Sequence, residues 1–139
     1  MVIINKQVIQ MKKTVKVVGA IIINECDEVL CALRSPKMSL PNYWEFPGGK
    51  IEPNESIEDA VIREIQEELD CTIKALQVFN DYTHEYEHIF VNLITVLCEL
   101  VQGTPNANEH AELRRVSKSQ LTNLNWAPAD LPDVHELMK

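Results

Sequence analysis

The sequence lacks a surplus of basic residues. Its 139 residues hold 13 Lys and Arg against 21 Asp and Glu, a formal net charge of −8. That balance excludes a general nucleic-acid binder, which needs a basic face, and attachment to an anionic membrane. Where a ligand carries phosphate, the chain's own charge does not neutralise it, and a bound cation is the natural candidate. No apolar run reaches the roughly 18 residues that a membrane span requires. The opening MVIINKQVIQMKK puts apolar residues ahead of its charges, the reverse of a secretory signal. Met11, followed by Lys12 and Lys13, offers a second start, and residues 1–13 are expected to form a flexible extension. Paired cysteines are missing too, since Cys26, Cys31, Cys71 and Cys98 are widely spaced with no CxxC. Structural zinc and disulfides are therefore disfavoured, and buried thiols in a reducing cytoplasm are expected. Repeats, low-complexity tracts and linkers are absent, so residues 14–139 read as one domain.

What is present is a mixture of strands and helices. Thr14–Ile23 is rich in β-branched residues and reads as a strand, with Val29–Leu33 as its hairpin partner across a turn at residues 25–28. Tyr43–Phe46 is a short apolar patch ending in Pro47-Gly48-Gly49. Ser56–Leu69 is the one long helix, with Ser56 as N-cap and Asp59 three residues later. Ile73–Tyr82, Ile89–Leu100 and Leu113–Val116 read as further strands. Ser117 opens a short helix, and Asp130–Met138 closes the chain as another, with Asp130 as its N-cap. Strands interleaved with helices point to an α/β fold in which helices cover a mixed sheet.

The long helix is crowded with carboxylates, and such runs normally face water. Its angular pattern says otherwise. At about 100° per residue, with Ile57 as origin, the apolar arc runs from Ala60 at about 300° to Leu69 at about 120°. Glu64 and Glu68 fall inside that arc, at about 340° and 20°, and Glu67 at its edge, at about 280°. Asp59, Arg63, Gln66 and Asp70 point outward. A bare carboxylate turned toward a core costs several kcal/mol, and like charges one turn apart repel. A divalent cation answers both problems, and an all-oxygen donor set suits Mg²⁺ or Mn²⁺ rather than zinc. A salt-bridge network is the alternative. In the preceding loop, Phe46-Pro47-Gly48-Gly49-Lys50, the two glycines permit close backbone approach and Lys50 is placed to reach an anion. His84-Glu85-Tyr86-Glu87-His88 has the spacing of a zinc-protease helix, but its flanks read as strands, which makes it a hairpin tip.

Gly49, five residues, Glu55, seven residues, Arg63-Glu64-Ile65, one residue, and Glu67-Glu68 reproduce the box of the Nudix hydrolases. The chain resembles that family over about residues 14–138. Tyr43–Lys50, Val15–Ile23 and Ala127–Pro132 are similar to its MutT-type branch. Asp70 and Cys71 depart from the family's Gly and aliphatic residue at the end of the box, though Asp tolerates the left-handed conformation of a helix C-cap. The resemblance implies a Nudix α/β/α sandwich with a mixed β-sheet. It also implies hydrolysis, dependent on Mg²⁺ or Mn²⁺, of nucleoside triphosphates to a monophosphate and pyrophosphate, including the sanitation of modified nucleotides. The partner is then a small-molecule nucleotide rather than a nucleic-acid polymer or a membrane, and the protein a monomer or homodimer in the cytoplasm.

Carried over by position, the resemblance makes Glu64, Glu67 and Glu68 metal ligands, with Glu64 helping to activate water and the Gly48 carbonyl as a further ligand. Arg63 orients the carboxylates and Glu55 braces the loop-to-helix junction. Arg34 contacts the phosphates. Glu109 binds metal or acts as base, with Glu112 as its alternative and an ordinary loop acid as the plain reading. Asp130 stands where a polar residue contacts the base edge. A carboxylate there accepts from the amino group of cytosine, which favours CTP- or dCTP-like substrates, while capping of the last helix is the competing role. Phe46, Trp44, Tyr82 and Trp126 are candidates to stack on a base. Two other functions stay open, a nucleotide-binding module without turnover and a Nudix hydrolase of another nucleoside-diphosphate-linked substrate.

Overall fold

The computed structural model describes residues 12–139 and, as backbone alone, residues 2–4 and 7–9. Of the expected extension at residues 1–13, residues 1, 5, 6, 10 and 11 lie outside the described residues, Met11 among them. Strands β1 (Val2–Ile4) and β2 (Gln7–Ile9) pair antiparallel. The centre of the molecule is β3 (Lys13–Ile22). It pairs antiparallel with the short β6 (Gly48–Lys50) on one side and parallel with β8 (Ile89–Gln102) on the other, and β8 pairs antiparallel with β7 (Thr72–Glu85). The parallel β3–β8 pair makes this four-stranded sheet mixed, as expected.

The expected hairpin of β3 with the next strand does not form. After the turn, β4 (Glu28–Leu33) joins a separate antiparallel sheet between β5 (Trp44–Glu45) and β9 (Glu112–Ser117). An isolated Ile23–Val29 bridge is what remains of the hairpin. Both edges of β3 are already taken by β6 and β8, so β4 has no ladder to add to.

Helix α1 (Ile57–Leu69) begins where the Ser56 hydroxyl accepts the Asp59 N–H at 3.0 Å. It ends at Asp70, whose φ of 54° and ψ of 43° are left-handed and whose N–H returns to the Gln66 carbonyl. Asp thus fills the C-cap that Gly more often takes. Ala60, Val61, Ile65 and Leu69 are fully buried against Val18, Ala20 and Ile22 of β3, each large aliphatic contributing about 1.5–3 kcal/mol. Ile21 points the other way, into a second core with Leu121, Trp126, Val134 and Leu137 under α2 (Leu131–Leu137). Strand alternation thus places one helix on each face of the strands. A 3₁₀ turn over Lys118–Asn123 replaces the helix expected after Ser117, and the Ser117 side chain makes no cap bond. His84–His88 sits at the β7–β8 hairpin tip, closed by Tyr86 N–H to the Ile89 carbonyl at 2.8 Å. Among the described residues no helix is long and apolar enough to cross a membrane.

Candidate active site

The site is built where β6 meets α1. Strand β6 places Gly48 opposite Gly19 and Gly49 opposite Val18. A Cβ on Gly48 would overlap the Val18 carbonyl oxygen, and one on Gly49 would occupy the space taken by the Glu64 carboxylate. Gly48 is therefore required by close approach to backbone, and Gly49 lets a helix carboxylate lie against the loop backbone. Glu64 is buried, as its angle on the helix implies, and Glu67 is exposed.

Arg63 organises the outer half of the cluster. Its Nε and Nη2 donate to Glu55 at 2.6 and 2.8 Å, and its Nη1 donates to Glu64 at 2.8 Å and Glu67 at 3.2 Å. Its Nη2 also reaches the Lys50 carbonyl at 3.0 Å. These charge-assisted bonds hold the Glu55 carboxyl down at about 2, the Arg63 fork being the main cause and the Glu52 N–H the next. The inner half differs. Burial raises Glu64, with Arg63 opposing. Burial lifts Glu68 to about 7, with His110 pulling it down and Glu64, Glu45 and Glu109 pushing it up. Glu68 Oε2 is buried with no hydrogen-bond partner among the described residues. An orphaned carboxylate oxygen beside a second buried carboxylate fits a hard divalent cation. Among the described residues no three His, Cys, Asp or Glu side chains are already gathered to metal-ligand geometry. Glu67 in particular turns out to Arg63.

Arg34, Phe46, Gly48, Glu68 and Asp130 line one cavity of about 680 Å³, joined there by Glu45 and Tyr86. Phe46 stacks on Trp126 with ring centroids 4.8 Å apart, which backs the cavity with a rigid aromatic wall. Lys50 is exposed and outside that wall. Glu109 is an exposed loop residue close enough to act on the charge of Glu68. Glu112, the alternative, is instead bonded by Arg114 at 2.9 Å. The capping role considered for Asp130 is corrected. Its side chain makes no cap bond, and its Oδ1 accepts the Phe46 N–H at 3.1 Å. The intervening 3₁₀ turn at Pro128–Asp130 leaves its backbone helical rather than extended, so the side chain cannot fold back over the helix start. Asp130 is 6% exposed, and its carboxyl is raised well above the ordinary value by burial first and Glu45 next, with the Phe46 N–H opposing.

Sequence reasoning missed the buried partners. His110 shows no constellation along the chain, yet its Nε2 lies 2.8 Å from Glu45 Oε2. Asp133, fully buried at the start of α2, accepts from the Thr95 hydroxyl at 3.2 Å, and its Oδ2 meets no hydrogen-bond partner among the described residues. The available signals were Glu45 beside Phe46 in the loop and His110 beside Glu109.

The sequence model of the NUDIX domain family matches residues 13–137. The 8-oxo-dGTP diphosphatase of Escherichia coli K12 is 34% identical over 129 residues, 93% of this chain and 99% of that protein. The CTP pyrophosphohydrolase of the same organism is 32% identical over 126 residues, 91% of this chain and 93% of that protein. A solution structure of the MutT protein, a family Nudix hydrolase, from methicillin-resistant Staphylococcus aureus 252 aligns with a TM-score of 0.75 at 48% identity. It covers 92% of this chain and 98% of its own.

Proposed function

This chain belongs to the Nudix hydrolases, and from that premise we propose that it is a pyrophosphohydrolase cleaving nucleoside triphosphates to a monophosphate and pyrophosphate. The observation that carries the reading is the buried Glu68 oxygen, without a hydrogen-bond partner among the described residues, beside Glu64 at the wall of a nucleotide-sized cavity. Glu64, Glu67, Glu68 and the Gly48 carbonyl are the groups that would hold Mg²⁺ or Mn²⁺. Such an ion neutralises phosphate charge and makes its bound water more acidic. Arg63 keeps Glu64 and Glu67 oriented. Arg34, which lines the same cavity, meets the phosphates. Glu109 takes the proton from the attacking water, a role the Arg114-bonded Glu112 is less free to play.

Asp130 and Phe46 read the base. Asp130 Oδ1 is engaged by the Phe46 N–H, leaving Oδ2 for the base edge. Burial disfavours the ionised form of Asp130, and an amino group donating to Oδ2 restores it; cytosine supplies that amino group, so we assign a cytidine triphosphate, plain or 5-substituted. Oxidised purine nucleotides are the second choice, favoured by the kinship with the 8-oxo-dGTP diphosphatase. The substrate is a free nucleotide and not a polymer, in keeping with the net charge of −8, and the protein acts as a monomer or homodimer. Four free cysteines, three of them buried, support a cytoplasmic setting.

The test is pyrophosphate release from dCTP, 5-methyl-dCTP, CTP and 8-oxo-dGTP with Mg²⁺, repeated with a chelator. Turnover that disappears with the chelator and is highest on a cytidine nucleotide is the expected result. Binding without release from any nucleotide would make the protein a nucleotide-binding module instead. Asp130→Asn should lower kcat/KM for the cytidine substrate by about 10- to 100-fold relative to 8-oxo-dGTP, and an unchanged ratio would remove Asp130 from base reading.

A further inference from the structure

Glu45 has no part in the reading above, yet it joins elements that do. It stands at the end of β5, mostly buried in the cavity wall. Its Oε1 accepts from Arg34 Nη1 at 2.6 Å, and its Oε2 meets His110 Nε2 at 2.8 Å. A carboxylate only accepts, so Nε2 carries a proton and donates it in this contact. The His110 side chain is 1% exposed, which removes this contact from the weak surface class. Arg34 also donates from Nε and Nη2 to the carbonyl and hydroxyl of Ser39. Three of its five N–H groups are thereby engaged among the described residues, and two remain for a phosphate. On the other side, His110 directly follows Glu109, and the Ala111 N–H is fixed to the Leu33 carbonyl at 2.9 Å. The loop that carries Glu109 is thus anchored to Glu45 by a buried side chain.

We propose that Glu45 is a positioning residue for the hydrolytic reaction, a single carboxylate that sets the phosphate grip through Arg34 and the Glu109 loop through His110. This rests on the function proposed above, in which Arg34 meets phosphate and Glu109 serves the water. Sharing one planar group couples the two, because any shift of one partner turns the plane presented to the other. The separation between grip and base is then fixed before substrate arrives.

Exchange of near-isosteres tests the clamp. Glu45→Gln keeps the shape but offers one acceptor oxygen and an NH₂ group, which either opposes Arg34 or is accepted by His110 only after the ring proton moves to Nδ1, so the charge that both partners share is lost in either case. Its kcat on the best nucleotide should fall by about 10- to 100-fold, and its KM should rise because Arg34 is loosened. His110→Gln puts an amide N–H where Nε2 stands and should restore most of kcat. His110→Asn, too short to reach, should not, and its KM should stay near that of the wild type because only the loop is freed. In the Glu45→Gln/His110→Asn double variant the losses should not multiply. Melting temperatures report folding in each case. Equal kcat in the two His110 variants, multiplying losses, or undiminished turnover in Glu45→Gln would each overturn the clamp. Should Glu45→Gln fail to fold, the two His110 variants decide. A wild-type protein inert on every nucleotide overturns the hydrolase reading and the clamp with it, whereas an active wild type isolates the clamp.

Discussion

Glu55 and Glu68 carry the same carboxyl group at the two ends of one motif, and their surroundings drive them in opposite directions. Glu55 takes two N–H groups from Arg63 and the backbone N–H of Glu52, which hold it down at about 2. Glu68 lies deeper, has an oxygen without a partner among the described residues, and is lifted by burial to about 7. Burial and one arginine make the difference, since Glu68 is the more deeply buried and Arg63 reaches Glu55, Glu64 and Glu67 but makes no ion pair with Glu68 among the described residues. The outer half of the motif is a satisfied ionic brace. The inner half is left short of positive charge, which is the condition a cation site needs before its ion arrives.

The largest test of that contrast removes the starved carboxylate. Glu68→Gln should lower kcat on the order of a thousandfold and leave the fold intact. At pH 8, above the value near 7, the metal-free variant should melt no lower than the wild type, because a disfavoured buried charge has gone. Near-normal turnover would refute its place as a ligand. Arg63→Lys comes next. The planar fork is lost, so kcat should fall by about 10- to 100-fold, and the Glu55 carboxyl should titrate closer to the ordinary carboxylate range by carbon NMR. An unmoved Glu55 titration would show that the brace is not the arginine's doing. Asp133→Asn gives the smallest effect and asks whether burial alone, away from the motif, also raises a carboxyl. Burial raises Asp133 above 3.8. A carboxyl raised on folding holds its proton more tightly in the native state, so it lowers stability as pH climbs through that window. The variant should melt a few degrees higher at pH 7, with the gain vanishing as pH falls toward 4. Equal gains at both pH values would break the argument from burial.

The inner and outer carboxylates were readable along the chain because helix geometry is local. Glu64 and Glu68 share an arc with Ile57, Val61 and Ile65, and burial of Glu64 follows from that arc. The left-handed Asp70 was likewise foreseeable from residue type at a helix end. The pairing of Glu45 with His110 was not, because those residues are 65 positions apart and only the β5–β4–β9 sheet brings them together. Asp130 misled for the same reason. Local pattern makes it a cap, and the Phe46 N–H, 84 positions away, outcompetes the helix for its oxygen. The hairpin expected for β3 and β4 failed because a local turn signal cannot reveal that β8 arrives from much later in the chain to claim the edge.

That late arrival bears on how the protein is made. The β3–β8 register joins Lys13 to Ile89, so more than half of the chain separates the partners. During synthesis the apolar strand at the heart of the molecule leaves the ribosome early, and it must wait for β8 before its second edge is covered. The β7–β8 hairpin closes on its own neighbours and is ready as soon as it emerges. Non-local parallel pairing of this kind slows folding and keeps a bare strand edge open to other chains. The nascent polypeptide is therefore most in need of a chaperone in the interval before β8 appears.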